Sequence, residues 1–233
     1  MNRLLTSTLI STLTLFLIAC SNNKTDNSKK VDPDAIFFDY KIRGYEKDSN
    51  ATVYIQYRMG GPNGTALVLK DPAKVELDGG IIPSNTAKHN GVFYEILKPS
   101  GIFTGQHSIL FTDFNSKEYK EEFIYQPFEL RTDLPSTITR KNLVFDFVGV
   151  DLVDYITVSM TDTSFTSKDI NQVDTVKNGR LIIPAELLKN LVDGPITLQF
   201  NKYVEKPLKN GTKTGGRISF SYGLQREFEL KAP

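Results

Sequence analysis

The sequence predicts an all-β protein built from two tandem antiparallel β-sandwich domains, with a short helix in the second domain. Three observations carry this prediction. Apolar and polar residues alternate with a period of two in several segments, as in strands with one buried face. Asn-Gly pairs, which suit tight hairpin turns, recur along the chain. A set of short motifs also occurs twice, in the same order.

The alternation occurs in three segments, residues 36–43, 53–59 and 217–224. The apolar side of the first strand is formed by Ile36, Phe38, Tyr40 and Ile42. The stretch "PAELLKNLVDG" departs from this pattern, because Pro184 suits a helix start, Gly194 suits a stop, and good helix formers lie between them. We therefore expect a short helix over about 185–192.

The repeated motifs divide the chain into two units, which we place at 35–131 and 132–233, each near the ~100 residues of a sandwich domain. In the first unit FDY, NGVFYEI, GQHSILF, FIY and FEL begin at Phe38, Asn90, Gly105, Phe123 and Phe128. In the second unit FDF, NGRLIIP, GPITLQF, FSY and FEL begin at Phe145, Asn178, Gly194, Phe220 and Phe228. We expect each unit to fold by itself.

The amino-acid composition restricts the kind of sandwich. The chain has no Trp and a single Cys, which excludes the Cys–Trp–Cys core of antibody domains, so its 15 Phe and 10 Tyr must fill the cores. Short strands with turn signals about every 8–12 residues favour an immunoglobulin-like sandwich. The architecture resembles the tandem immunoglobulin-like lipoproteins of bacterial envelopes, many of which have no assigned function.

The single cysteine stands at the end of a secretory signal. Arg3 is followed by an uncharged stretch, Leu4 to Ala19, too short and too interrupted by Ser and Thr for a membrane span, which needs about 20 mainly apolar residues. The sequence Leu17-Ile18-Ala19-Cys20 resembles the lipobox of bacterial lipoproteins. The resemblance implies that residues 1–19 are a cleaved signal peptide and that Cys20 carries the acyl chains.

Lipidation of Cys20 would leave no thiol for a disulfide, a nucleophile or a metal site. The resemblance also implies outer-membrane sorting, because Ser21 and not Asp follows the cysteine, whereas the face of the membrane stays open. The polar residues that follow, up to Asp34, bury too little apolar surface to fold. We therefore expect residues 20–34 to be a flexible tether.

The sequence carries little that favours catalysis. Its two histidines, His89 and His107, are too few for a multi-His metal site, and G-x-S-x-G does not occur. We expect both histidines to be solvated or hydrogen-bonded, and we expect no cofactor and no metal. The balance of 28 basic and 27 acidic residues gives no reason to expect a nucleic-acid partner.

The best binding candidate is a difference between the two units. Where the first unit has a tight turn near Asn115, the second has "NKYVEKPLKNGTKTGG", residues 201–216, between its last two strands. A long loop on a rigid sandwich is a common place for binding residues. The candidate contacts in this loop are Lys202, Tyr203, Lys206, Leu208, Lys209 and Lys213. Because the loop should lie outside both cores, we expect shortening it to leave stability unchanged.

The second binding candidate is the segment from Tyr57 to Leu67. For the whole chain, we expect a lipid-anchored, non-enzymatic envelope protein that binds another protein or acts as a spacer. A glycan-binding lipoprotein is the alternative, with Tyr54, Tyr57 and Tyr203 as possible aromatic platforms. An enzyme is the third and least supported alternative, because no acid/base or nucleophile constellation is present.

Overall fold

The computed structural model of the 233-residue chain describes residues 25–27, 31–87, 91–164 and 167–232. The predicted signal peptide, Cys20 and His89 lie outside these residues. The described strands enclose two separate hydrophobic cores, which confirms the predicted all-β fold of two tandem immunoglobulin-like sandwiches. No helix in this described part is long and apolar enough to cross a membrane.

The first unit, preceded by a 3₁₀ turn at Pro33–Ala35, contains the strands β1 Thr25–Asn27, β2 Ile36–Tyr45, β3 Asn50–Met59, β4 Thr65–Val68, β5 Lys74–Leu77, β6 Gly80–Ile81, β7 Ser84–Ala87, β8 Gly91–Pro99, β9 Gly105–Thr112 and β10 Glu118–Tyr125. The second unit contains β11 Glu129–Leu130, β12 Thr137–Thr139, β13 Leu143–Val148, β14 Val153–Thr161, β15 Ile170–Lys177, β16 Arg180–Ile183, helix α1 Ala185–Leu188, β17 Gly194–Pro207 and β18 Gly216–Lys231.

These strands form two sheets in the described part of the chain. The smaller has the order β10-β9-β5-β6, and the larger, fourteen-stranded sheet has the main order β1-β4-β3-β2-β18-β17-β14-β15-β16-β13-β11. The first core lies between the smaller sheet and the β3–β2 end of the larger one. In the second unit one residue pair, Lys177 with Arg180, joins β15 to β16, and the sheet folds over there to enclose the second core.

Aromatic rings fill both cores, as the absence of Trp predicts. In the first core Tyr57 stacks on Phe111 with ring centroids 4.4 Å apart, and Phe38 meets the Tyr57 ring edge-on at 5.2 Å. In the second core Phe200 packs edge-on against Phe145 at 4.9 Å. Each such pair stabilises the fold by about 0.5–1.5 kcal/mol in addition to the free energy gained by burying its apolar surface.

Strand β18 belongs to both units. Its residues Gly216 to Gly223 pair in parallel with Phe38 to Tyr45 of β2, while the whole strand pairs antiparallel with β17. Ile218 is buried in the first core and Leu224 in the second, and Tyr222 packs against both. The division near residue 131 therefore does not separate two self-contained cores.

The structure differs from two further expectations, on the end of the helix and on the tether. The helix ends at Leu188 and not near 192, because residues up to 191 continue as turns that bring Leu191 into the second core. Within the predicted tether, Thr25–Asn27 pairs with β4, and Val31 is buried in the first core, so this part of the tether is not free.

The two units also do not repeat strand for strand. β9 and β17 hold equivalent places, because each pairs with the strand that follows it, β10 or β18. The two strands that carry FDY and FDF differ, because β2 pairs with its successor β3 whereas β13 pairs with β16.

Candidate functional site

The predicted loop 201–216 is largely a β-hairpin that reaches from the second unit onto the first. Strand β17 continues to Pro207, which pairs with Arg217 at the start of β18, so only 208–215 form the turn. We call β17, this turn and β18 the junction hairpin. The apolar–polar alternation of β17 thus continues beyond the second core, and this end of the hairpin packs against the first unit.

The turn of the junction hairpin is fastened by hydrogen bonds. The hydroxyl groups of Thr212 and Thr214 donate to the carbonyl oxygens of Ile36 (2.5 Å) and Asp34 (2.8 Å). Asn210 Nδ2 donates to the Lys120 carbonyl oxygen at 2.9 Å. The turn is therefore a structural clamp on the first unit, contrary to the expectation that it lies outside both cores.

A buried carboxylate secures the same turn. Glu121, which is 5% exposed, accepts hydrogen bonds at Oε2 from the backbone N–H groups of Lys209 (3.0 Å) and Asn210 (3.3 Å). A buried carboxylate is costly unless it is hydrogen-bonded, so Glu121 and the turn depend on each other.

A groove runs along the inward face of the junction hairpin, between the hairpin and β10. It consists of two adjoining cavities of about 350 and 380 Å³ that share Ile124, Lys206 and Phe220. We call it the junction groove. Its apolar lining includes Val204, Phe220, Tyr222, Phe123 and Ile124, and its charged lining consists of Lys202, Lys206, Lys209, Glu121, Glu122 and Asp151.

Most of the carboxylates in the groove already have partners. Glu122 accepts a hydrogen bond from Lys120 Nζ at 2.7 Å, and Glu121 is held by the turn. The three lysines and three carboxylates of the lining balance in charge, because the neutral N–H groups that bond Glu121 do not neutralise it. Lys206 and Lys209 are the lysines of the lining that form no ion pair in the described part of the chain.

Lys202 is committed to a partner inside the protein, because its ammonium pairs with Asp154. Burial alone would raise the pKa of Asp154, but hydrogen bonds from Lys202 and from the backbone N–H groups of Tyr155 and Asp151 outweigh it and lower that pKa. Lys202 therefore shapes the wall of the groove and contributes little free charge to it.

The structure does not bring the other three predicted contacts into the groove. Tyr203 lies on the opposite face of β17, 61% exposed, and its hydroxyl donates to Glu205 Oε2 at 2.6 Å, which raises the pKa of Tyr203. Leu208 packs against the first core. Lys213 pairs with Asp34 at 2.6 Å on the outside of the turn. Tyr203 was predicted to share a surface with the lysines, but alternation along a strand places it on the other side.

The second candidate segment is mainly structural. Tyr57 and Leu67 are fully buried in the first core, so Tyr57 cannot serve as a sugar platform. Arg58 donates to the Gly64 carbonyl oxygen at 3.0 Å and closes the turn between β3 and β4.

Tyr54 is not an open platform either, because its ring stacks on Phe93 with centroids 5.0 Å apart. His107 is hydrogen-bonded, with Nδ1 2.8 Å from Asp78 Oδ2, and its ring stacks on Phe103 at 4.0 Å. Among the described residues no group of three or more His, Cys, Asp or Glu side chains could hold a metal ion.

Sequence reasoning missed the residues that make the groove apolar. Phe220 and Tyr222 looked like ordinary core positions of a strand, although part of each ring is exposed at the junction. Ile124 carried a usable signal, because it is an apolar residue on the otherwise charged outer face of β10 and is 69% exposed.

No protein-family model and no curated protein sequence matches this chain. Among solved structures it is similar to the two immunoglobulin domains of DIP-gamma (9% identity, 81% of this chain and 97% of that chain, TM-score 0.24) and to fibronectin(III)-like modules of Clostridium thermocellum CbhA (10%, 84% and 94%, 0.23). It is also similar to SGBP-B of the Bacteroides ovatus mixed-linkage glucan utilization locus, solved in complex with a mixed-linkage heptasaccharide (12%, 89% and 66%, 0.18). TM-scores this low support no statement about what the chain binds.

Proposed function

We propose that the chain is a lipid-anchored protein of the bacterial cell envelope whose two sandwiches act as a non-enzymatic module for binding another protein. Cys20 holds the protein to the membrane, with the outer membrane as the expected location. The observation that carries the binding role is the junction groove, a concave and partly apolar surface. Lys206 and Lys209 beside it form no ion pair with any residue that the structure describes. Exposed apolar surface rimmed by polar groups is typical of sites of interaction.

The rigidity of the junction supports this proposal. Because the two units share β18 and the turn is clamped to the first unit, the groove is formed before any partner arrives. Preformed sites lose less conformational entropy on binding. A partner with carboxylates near an apolar patch is the chemistry that fits.

The anchor and the groove are tested separately. Cys20→Ser should release the protein from the membrane fraction, and an unmodified Cys20 in the intact mass of the wild type would contradict the anchor. For the groove, affinity purification from solubilised envelopes is compared between wild type, Lys206→Glu and the control Lys177→Glu, which lies outside the groove. We expect Lys206→Glu alone to lose partners. Equal recovery by all three proteins would contradict the groove.

Glycan binding is the second candidate, and one observation favours it. Tyr155 and Tyr203, on the outer face of the large sheet, are 60% and 61% exposed, and Tyr203 is hydrogen-bonded to Glu205. Exposed aromatic rings beside carboxylates suit the stacking and hydroxyl contacts of sugars. A glycan array with wild type and with Tyr203→Ala distinguishes this surface from the groove.

A further inference from the structure

The outer edge of the smaller sheet lies along the junction groove. β10 is the end strand of that sheet, and β9 is its sheet neighbour. In an antiparallel pair, residues alternate between those that bond the neighbouring strand and those whose N–H and C=O point away from it. Half of the backbone groups of β10 therefore face away from β9.

Two hydrogen bonds identify which residues of β10 have backbone groups that face away from β9. The N–H of Asp113 donates to the Lys117 carbonyl oxygen at 2.9 Å where the β9–β10 turn closes, so the odd-numbered residues of β10 bond to β9. Independently, Asn210 of the turn reaches the carbonyl oxygen of Lys120 from the other side. Lys120, Glu122 and Ile124 therefore present their backbone groups to the open edge.

The turn of the junction hairpin covers this edge of β10 at Lys120. Along the groove the edge is uncovered, because the two strands of the hairpin do not pair with β10. Within the described residues, the backbone N–H and C=O of Glu122 and Ile124 have no hydrogen-bond partner. Such a row of unpaired groups is a template for an added strand.

The groove below the edge suits the side chains of such a strand. Phe220 forms the floor beside Phe123, with ring centroids 5.8 Å apart, and Val204 and Tyr222 extend it. Because successive side chains of a strand point to opposite sides, every second residue of an added segment would meet this floor. Lys206 and Lys209, which form no ion pair among the described residues, lie beside it.

We propose that the junction groove takes an extended segment of a partner protein, which adds as a strand to the free edge of β10 and carries an acidic residue to Lys206 and Lys209. This inference rests on the proposed protein-binding function and names the form of the partner. A second copy of this chain and its own N-terminal residues are the other occupants that the experiment separates.

The test uses the full chain in detergent and a phage-displayed library of random linear peptides. We expect enriched peptides to combine an acidic residue with apolar residues at alternate positions. When such a peptide binds, the amide protons of Glu122 and Ile124 should exchange more slowly with solvent, because they become the donors to the added strand. This exchange measurement needs no variant, so it is independent of any folding defect.

Proline variants test the backbone directly. Ile124→Pro removes an open-edge N–H without removing a bond to β9, and proline is tolerated on edge strands. We expect it to weaken peptide binding about tenfold, since it loses one hydrogen bond and its ring obstructs the edge. Glu118→Pro is the matched control, because it lies on the same side of β10 but does not line the groove.

The outcomes separate the two proposals. In one outcome, p-benzoylphenylalanine placed at Ile124 crosslinks an envelope protein, but the amides of Glu122 and Ile124 gain no protection from exchange and Ile124→Pro does not weaken binding. Strand addition is then wrong, and the protein-binding function stands. If no peptide is enriched and nothing crosslinks, both proposals fail. If the crosslinked product is a dimer of this chain, or crosslinking occurs only within one molecule, a foreign partner is excluded.

Discussion

Asp39 of the first unit and Arg217 of the second form an ion pair across the junction, with Arg217 Nε 2.8 Å from Asp39 Oδ1. The carboxylate is only 2% exposed, and Lys41 Nζ lies 3.0 Å from its other oxygen. Burial alone would raise the pKa of Asp39, but hydrogen bonds from Arg217 and Lys41 outweigh it, so the pKa lies below its ordinary value of 3.8. The Asp39 carboxylate thus stays charged at the junction of the two units.

The pH dependence of stability should report this pair. Because the pKa of Asp39 is lower in the folded chain than in the unfolded one, its contribution is complete above about pH 4 and decreases as the pH falls through the folded value. We expect Asp39→Asn to lower the free energy of unfolding by about 1–3 kcal/mol at pH 7. The difference between variant and wild type should shrink towards pH 3, as measured by urea unfolding.

Asp146 provides the matched control for Asp39. It holds the equivalent place in the FDF motif and pairs with Arg180 at 2.8 Å, but both of these side chains are largely exposed. Solvent and salt weaken such a pair, so Asp146→Asn should change stability less than Asp39→Asn. An equal effect of the two substitutions would show that the buried junction pair has no special role.

Shortening the turn of the junction hairpin should destabilise the protein. A four-residue turn in place of 208–215 removes Leu208 from the edge of the first core and leaves Glu121 buried without its two N–H donors. We expect a loss of at least about 2 kcal/mol, measured by thermal and urea unfolding. This reverses the expectation from sequence, and unchanged melting would contradict the clamp.

The first unit expressed alone should be unstable. Residues 35–131 lack Ile218, which is 3% exposed in the first core, and lack the strand that pairs with β2. We expect this fragment to unfold without a sharp transition, whereas residues 31–232 unfold cooperatively. A synthetic peptide covering 201–224 should restore part of the missing order. Cooperative unfolding of the fragment by itself would show that the first core tolerates the loss of β18.

Gly216→Ala should weaken the pairing of β18 with β2. A Cβ atom at Gly216 would lie 2.7 Å from the Phe38 carbonyl oxygen, a backbone atom that cannot move without shifting the strand. We expect a loss of about 1–3 kcal/mol in the free energy of unfolding. Gly101→Ala is the control, since its Cβ would meet nothing within 4 Å, and its stability should stay close to wild type.

The fold was predictable because period-two alternation and Asn-Gly turns act locally. The sequence around Asn178, for example, forms the predicted tight turn, with Asn178 at φ 51° and Gly179 at φ 76°. The boundary between the units was not predictable in this way. Phe38 and Gly216 are neighbours in a parallel ladder, but no local pattern links residues so far apart in the chain.

Local patterns also limit what the sequence could say about the candidate site. The lysine-rich stretch 201–216 was singled out as a difference between the units, but a hairpin and a loop of this composition look alike in sequence. Once β17 is known to reach Pro207, alternation separates Lys202 and Lys206 from Tyr203. The side of the groove that β10 forms depends on tertiary packing. Its one sign in the sequence was Ile124, an apolar residue among charged ones.

The shared strand has a mechanical consequence. If the chain is held by its N terminus as proposed, tension enters the first unit just before β2 and leaves the second unit through β18. These strands run parallel, from Phe38 beside Gly216 to Tyr45 beside Gly223, so a pull on the start of one and the end of the other loads their hydrogen bonds in shear. The bonds must then fail together and not one after another. The junction should therefore resist a pull that draws the second unit away from the membrane.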